Sequence, residues 1–379
     1  MAGKYKLFVI RLFIFFNVLA AIVFLLACLA PVLNPAEWWL LSVLGLGFGV
    51  IFIILFLFLF FWAIVKPRFI LLSLIPLLIG YKSILVFFAV HPPEKFTYTK
   101  PPTTLRVMTW NVARFMELKR NNNKGSQTRL KMLDLIEQQN ADVLCFQEFY
   151  HSTDSTYYNN IDAVKALGYP YFYYSWDEDG HQQWFGQAIF SRYPIVDSGS
   201  VHYPRPGQPE SLIHADILFG GDTVRFYTTH LQSVMFKEQD YRSLEEIKKR
   251  DSVLQNSRNI FSKLRRGYTY RSRQADIVQE ITSLSPHPYV VTGDFNDVPN
   301  SYTYFTIRNN TLQDAFLKKG FGIGRTYSGI SPTLRIDYIF TTKDFEVLQF
   351  NRIVKDLSDH YMLVTDLQLK KGADVKREK

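Results

Sequence analysis

Tyr289-Val290-Val291-Thr292-Gly293-Asp294-Phe295-Asn296 puts an apolar run directly ahead of a carboxylate and a carboxamide. A short apolar run closed by glycine reads as a buried strand, and strand ends are where a rigid sheet presents functional groups. Asp294 and Asn296, two apart, project to one face if the strand continues through them. The bland reading is an Asx-rich turn running on through Asp297 and Pro299. Working outward, five other stretches set a polar group on or just after an apolar run: Trp110-Asn111-Val112, Gln147-Glu148 after Val143-Leu144-Cys145-Phe146, Thr229-His230-Leu231, Ile336-Asp337-Tyr338 and Ser358-Asp359-His360.

Each stretch alone reads as a turn or a solvated strand end. In this order and with this chemistry the set resembles the endonuclease/exonuclease/phosphatase superfamily, the fold of DNase I, abasic-site endonucleases, bacterial sphingomyelinases and inositol polyphosphate phosphatases. The likeness covers roughly residues 103–370. It implies an α/β fold, a four-layer α/β/β/α sandwich of two mixed sheets with the site at one end.

Cleaving a phosphate ester requires a cation on the phosphoryl oxygens, an in-line nucleophile and stabilisation of the leaving oxygen. The resemblance implies that Glu148 and Asn111 are metal ligands on neighbouring strand ends, with Asp359 approaching the metal side. Hard oxygen ligands suit Mg²⁺ or Mn²⁺. By the same likeness Asp294 orients or deprotonates the attacking water, Asn296 binds the phosphate, and His360 contacts the scissile phosphate. Asp337 resembles the acid that holds and charges His360. His230 resembles the second imidazole of the DNase I and sphingomyelinase branches. An acidic residue follows the Trp-Asn-Val strand closely in the abasic-site endonucleases; Ala113-Arg114-Phe115 stands here instead, which argues against that branch.

Ahead of residue 100 the composition changes. Three apolar blocks, at about residues 12–32, 39–65 and 69–90, approach the roughly 20 residues needed to cross a bilayer. Pro76, Gly80 and Lys82 make the third a kinked span or a re-entrant hairpin. Lys4, Lys6 and Arg11 flank the first block, Lys66 and Arg68 lie between the second and third, and residues 31–37 carry no base. The positive-inside rule then puts the N-terminus and second loop in the cytoplasm and the catalytic segment outside it, on the periplasmic side in a bacterium. Cys28 after Leu25-Leu26-Ala27 invites reading as a lipoprotein box; a small apolar residue inside a span is the reading preferred, since Leu26 is large for such a box.

The expected organisation is a transmembrane region over residues 1–91, an extended Pro-rich linker over 92–104, a catalytic domain over 105–370 and a charged tail over 371–379. A helix is expected over residues 126–139, and a charge-rich helical stretch over 236–281, broken near Gly267. Residues 320–324 read as a flexible glycine loop. Residues 1–100 hold eight Lys/Arg against Glu37 and Glu94, so six of the formal +9 lie there, much of it at membrane flanks, and only three remain for the other 279 residues. That weakens a nucleic-acid inference from basicity. The aromatics Tyr171, Phe172, Tyr173, Tyr174, Trp176, Trp184 and Phe185 are candidates to crown the site. The expectation is a membrane-tethered, Mg²⁺-dependent phosphoesterase acting on a lipid headgroup or a nucleic acid, with no obligate protein partner. The rival expectation is a catalytically silent, membrane-anchored binding module.

Overall fold

A computed structural model of the chain describes residues 2–92, 94–121, 124–180, 182–204, 210–234, 253–329 and 331–370. The expected helical stretch from 236 to 252 and the charged tail from 371 lie outside the described residues. The chain divides into two compact units: Met1–Phe88 with Ser233–Arg273 and Asp297–Thr306, and Ala89–Gln232 with Gln274–Asn296 and Ile307–Lys379.

The first unit is helical. Its N-terminal helices are Ala2–Ala27, Pro35–Leu46, Phe48–Val65, Leu71–Ile79 and Tyr81–Phe87. The apolar block 39–65 is thus divided at Gly47, which ends one helix and begins the next. Two helices, over Tyr5–Ala27 and Phe48–Val65, are long and apolar enough to cross a membrane; Pro67–Ile79 and Tyr81–Phe87 add a third only if that pair, bent by 69°, is one span. The bend falls at Gly80, where a Cβ would lie 2.5 Å from the Phe24 ring. Asn17, Ser73 and Trp62 form a buried polar triad: Asn17 Nδ2 donates to Ser73 Oγ at 2.9 Å and Trp62 Nε1 to Asn17 Oδ1 at 2.8 Å. Between apolar helices such bonds fix register and contribute about 0.6–2 kcal/mol.

The long helix Val253–Ser283 packs Ile260, Leu264 and Tyr268 against Val43 and Val234. It runs unbroken through Gly267, against expectation. A Cβ there would stand 3.5 Å from Val234 and 3.2 Å from Arg271, so the glycine serves close packing and not a break.

The second unit holds two mixed β-sheets flanked by helices. In the first, Thr104–Asn111 lies parallel to Val143–Ser152 and antiparallel to Met362–Leu369, with Phe345–Ile353, Gln183–Ser191 and Tyr171–Tyr174 outside them. In the second, Tyr289–Asp294 lies parallel to Asp222–His230 and antiparallel to Asp337–Thr342, with Leu312–Asp314, Ser211–Phe219 and Ile195–His202 outside. Alternation sorts the faces. Leu105, Val107, Val143, Cys145 and Ile189 turn inward against Ile213, Ala215, Phe226, Val290 and Ile339 of the other sheet. Met108, Trp110, Leu144, Phe146 and Val364 turn outward under Met132 and Ile136 of the helix Thr128–Gln139 and Val164 of Asn160–Ala166. Gln147 ties the sheets together, donating to Thr228 Oγ1 at 2.7 Å and Thr109 Oγ1 at 3.1 Å.

Within the stretch read as a linker, residues 96–98 are held down on the sheet. Buried Arg106 pairs with Asp366 through two hydrogen bonds, donates to Thr97 O and Tyr98 O, and stacks over Phe96. Gln349 grips Thr97 from both sides of its peptide. Ala89–Val90 pairs with Phe321–Gly322, so the glycine-rich 320–324 is in part a strand and not only a loop.

Candidate active site

Backbone pairing sets the site. Asp294 stands opposite His230 on one neighbouring strand and opposite Asp337 on the other. Gly293 permits this close pairing: it has φ +139°, and a Cβ on it would fall 1.9 Å from Thr229 O. The strand stops at Asp294. Its Oδ1 accepts the Asn296 N–H at 2.8 Å while Asn296 takes φ +52°, an Asx turn, so Asp294 and Asn296 do not share a strand face as the two-residue spacing suggested. Asn296 Nδ2 donates to Leu231 O at 2.8 Å, closing the turn onto the strand that carries His230.

On the other sheet, Asn111 ends its strand beside Gln147. A bulge between Phe146 and Phe149 shifts the register, and Glu148, at φ +49°, leaves the otherwise buried strand for the half-exposed rim. Asn111 Nδ2 donates to Asp294 Oδ2 at 3.1 Å and Glu148 Oε1 at 3.3 Å, and its Oδ1 accepts the Ala113 N–H. Residues 113–116 all carry positive φ, 43° to 59°, a left-handed turn that L-residues adopt only at a cost. Arg114 leaves it to sit 3.8 Å from Glu148 Oε2 and 4.6 Å over the Phe185 ring.

His360 joins the two sheets. Ser358 Oγ donates to Asn111 O, Trp110 Nε1 donates to His360 O, and the imidazole reaches Asp337, both of whose oxygens lie 3.0 Å from Nδ1. Thr326 Oγ1 fixes that acid by accepting the N–H groups of Ile336 and Asp337. Asp294 Oδ2 is 3.5 Å from Nε2 of both His360 and His230. Asp359 is exposed, its carboxylate 3.3 Å from Ser358 Oγ.

His230 has an acid of its own that the sequence did not single out: Glu210 Oε1 is 3.1 Å from His230 Nδ1. Twenty residues separate them, and only the pairing of Leu212 with Thr229 brings them together. The need of the second imidazole for a carboxylate, as Asp337 serves the first, is the one signal that could have found it. Burial opposes the charge on each imidazole, and the carboxylates overcome it: Glu210 and Asp294 lift His230 to about 10, and Asp337 and Asp294 lift His360 to about 10. Burial raises Asp294 against the pull of both imidazoles. The site therefore holds the buried carboxylate of Asp294 between two imidazoles, each backed by a carboxylate of its own.

One ligand atom each from Asp294, Asp337 and His360 lies within 4.8 Å of the others, a cluster consistent with a divalent metal. A family model described as Endonuclease/Exonuclease/phosphatase family matches residues 108–360, a span that contains every residue of this constellation. The chain belongs to the endonuclease/exonuclease/phosphatase family. As a member it is a metal-dependent hydrolase acting on phosphoester bonds. A second model, Domain of unknown function (DUF8431), matches residues 10–87. No curated protein matches the chain. Among solved structures, the human Nocturnin catalytic domain is similar at TM-score 0.50 and 19% identity, over 72% of this chain and 97% of that one. The family protein from Beutenbergia cavernae DSM 12333 gives 0.49 at 22% identity over 70% and 72% of the two chains, and that from Bacteroides vulgatus 0.49 at 19% over 70% and 99%. At these identities the likeness is one of fold alone.

Of the aromatics read as a crown for this family's site, Tyr174 is core. Trp176, which is 47% exposed, packs edge-on against Trp184 and His151, and Phe185 carries Arg114 beside Glu148.

Proposed function

We propose that this hydrolase is a membrane-tethered, Mg²⁺-dependent phosphoesterase whose site faces away from the cytoplasm and whose substrate is a lipid-borne phosphoester. The observation that carries the reading is Asp294 Oδ2, within 3.5 Å of two imidazole Nε2 atoms that are each backed by a carboxylate. Asp294 orients the attacking water and takes its proton. His230 and His360, charged by Glu210 and Asp337, donate to the phosphoryl oxygens as negative charge builds. Asn296 keeps one amide N–H for the phosphate, the other being spent on Leu231 O.

The residues present fit a hard cation. Glu148 and Asn111 would hold it, with Asp359 on the same side, because Asp337 gives both oxygens to His360 whereas Glu148 is the half-exposed carboxylate of the set. Bound there, Mg²⁺ supplies charge neutralisation on the phosphoryl oxygens. The N-terminal helices support the lipid substrate, since confinement to a bilayer raises the effective concentration of a lipid at the site.

The full chain in detergent micelles, assayed against sphingomyelin, phosphoinositides, plasmid DNA, RNA and bis-p-nitrophenyl phosphate, tests this. Mg²⁺-dependent lipid turnover that EDTA abolishes, and that Asp294→Ala and His360→Ala lower at least about 100-fold, is expected. Turnover of nucleic acid alone would overturn the lipid substrate and leave the chemistry. No turnover in a chain that still binds Mg²⁺ would favour the silent binding module.

A further inference from the structure

The segment that follows the site motif is folded with the N-terminal helices. Asp297–Thr306 belongs to the helical unit, and it begins one residue after Asn296. Buried Asn300 donates through Nδ2 to Ala27 O at 2.9 Å, capping the last carbonyl of the helix Ala2–Ala27. Gly45 leaves room for it: a Cβ there would come within 2.6 Å of Asn300 O and 2.9 Å of the Ala30 Cβ. Asp297 accepts from Thr303 Oγ1 at 2.8 Å and pairs with buried Arg271 at 3.5 Å, on the helix that packs Ile260 and Leu264 against Val43 and meets Trp39 with Phe261. Four peptide steps, at most about 14 Å of extended chain, separate Asn300 from Asn296.

We propose that the N-terminal helices position the catalytic motif. Asn300 and Asp297 act as positioning residues: clamped to Ala27, Gly45 and Arg271, they fix the chain leaving Asn296 and so hold the turn that aims Asp294. The helices are then a working part of the hydrolase as well as an anchor. This rests on the phosphoesterase reading of Asp294 given above. A misplacement of about 1 Å at a reacting group costs about 100-fold in rate, so a partial loosening of this clamp is expected to cost about tenfold.

The test uses the full chain in detergent micelles, Mg²⁺ and bis-p-nitrophenyl phosphate, a soluble probe that reaches the site without a bilayer. Gly45→Val pushes directly on Asn300, and Asn300→Asp keeps its shape while removing the donor to Ala27. Gly47→Ala is the control, since a Cβ there meets atoms no nearer than 3.6 Å. In both clamp variants kcat is expected to fall about tenfold with KM within about twofold, near-ultraviolet circular dichroism unchanged, and amide exchange of a peptide covering residues 293–306 at least about tenfold faster; Gly47→Ala matches the parent in all three. Unchanged exchange in the clamp variants overturns the proposal whatever the activity, and faster exchange with unaltered kcat overturns the link to catalysis. A parent chain without Mg²⁺-dependent turnover, but with the expected exchange response, sinks the phosphoesterase reading and keeps the positioning of 293–306.

Discussion

Gly293 sits where two parallel strands come together at the site, and any side chain there collides with Thr229 O. Gly293→Ala is expected to destabilise the folded chain by at least about 2 kcal/mol, the scale of a strained backbone joined to a steric clash. Thermal unfolding against the parent checks it, and an unchanged midpoint would show that the pairing relaxes. Glu210 is a second residue with a sharp consequence. Because His230 is raised to about 10 in the fold from an ordinary 6.5, the bond to Glu210 stabilises fully below about pH 6.5 and loses that contribution as pH rises through about 10. In EDTA, the midpoint difference between parent and Glu210→Gln should therefore be largest near pH 6.5 and shrink toward pH 10. In Mg²⁺, kcat of the variant is expected to be about 100-fold lower. A midpoint difference that stays constant with pH would remove the charge pair from the account.

At the scale of elements, the bulge in Val143–Ser152 decides what Glu148 can do. An unbulged strand would continue the burial pattern and turn this carboxylate under the neighbouring strand. Glu148→Gln keeps the shape and halves the charge available to a cation, so half-maximal activity should need at least about tenfold more Mg²⁺; a metal titration that superimposes on the parent would take Glu148 out of the ligand set. The first strand shows the opposite use of a charge. Arg106 lies wholly inside, paired to Asp366 and strapping Thr97 and Tyr98 to the sheet. Arg106→Met abandons a buried carboxylate and is expected to cost about 3–5 kcal/mol, most of it recovered in Arg106→Met with Asp366→Leu. Equal midpoints for the single and double variants would argue that the strap, and not the charge, carries the cost. The strand before Glu148 is legible as an apolar run, but its bulge is not, because a strand buried on both faces has no alternation whose phase an inserted residue could shift.

For the whole molecule, the bases around the apolar blocks predict sidedness. An impermeant thiol reagent applied to intact cells stripped of any outer envelope is expected to label Asp222→Cys and to spare Arg68→Cys, and the reverse pattern would move the hydrolase into the cytoplasm. The sequence by itself determined the family, because the carboxylate, carboxamide and imidazole groups must follow apolar strands in a set order, and local patterns record that order. It also determined the apolar blocks, since membrane-spanning length is a property of contiguous chain. Only the tertiary structure decided three things. It paired Glu210 with His230 through strand register, chose the Asx turn over a continued strand at Asn296, and folded Asn300 against a helix end 273 positions earlier. The first and third are contacts between residues whose spacing carries no period, fixed by the packing of the folded chain; the second is local, a turn that the sequence allowed beside a continued strand and that the fold selected.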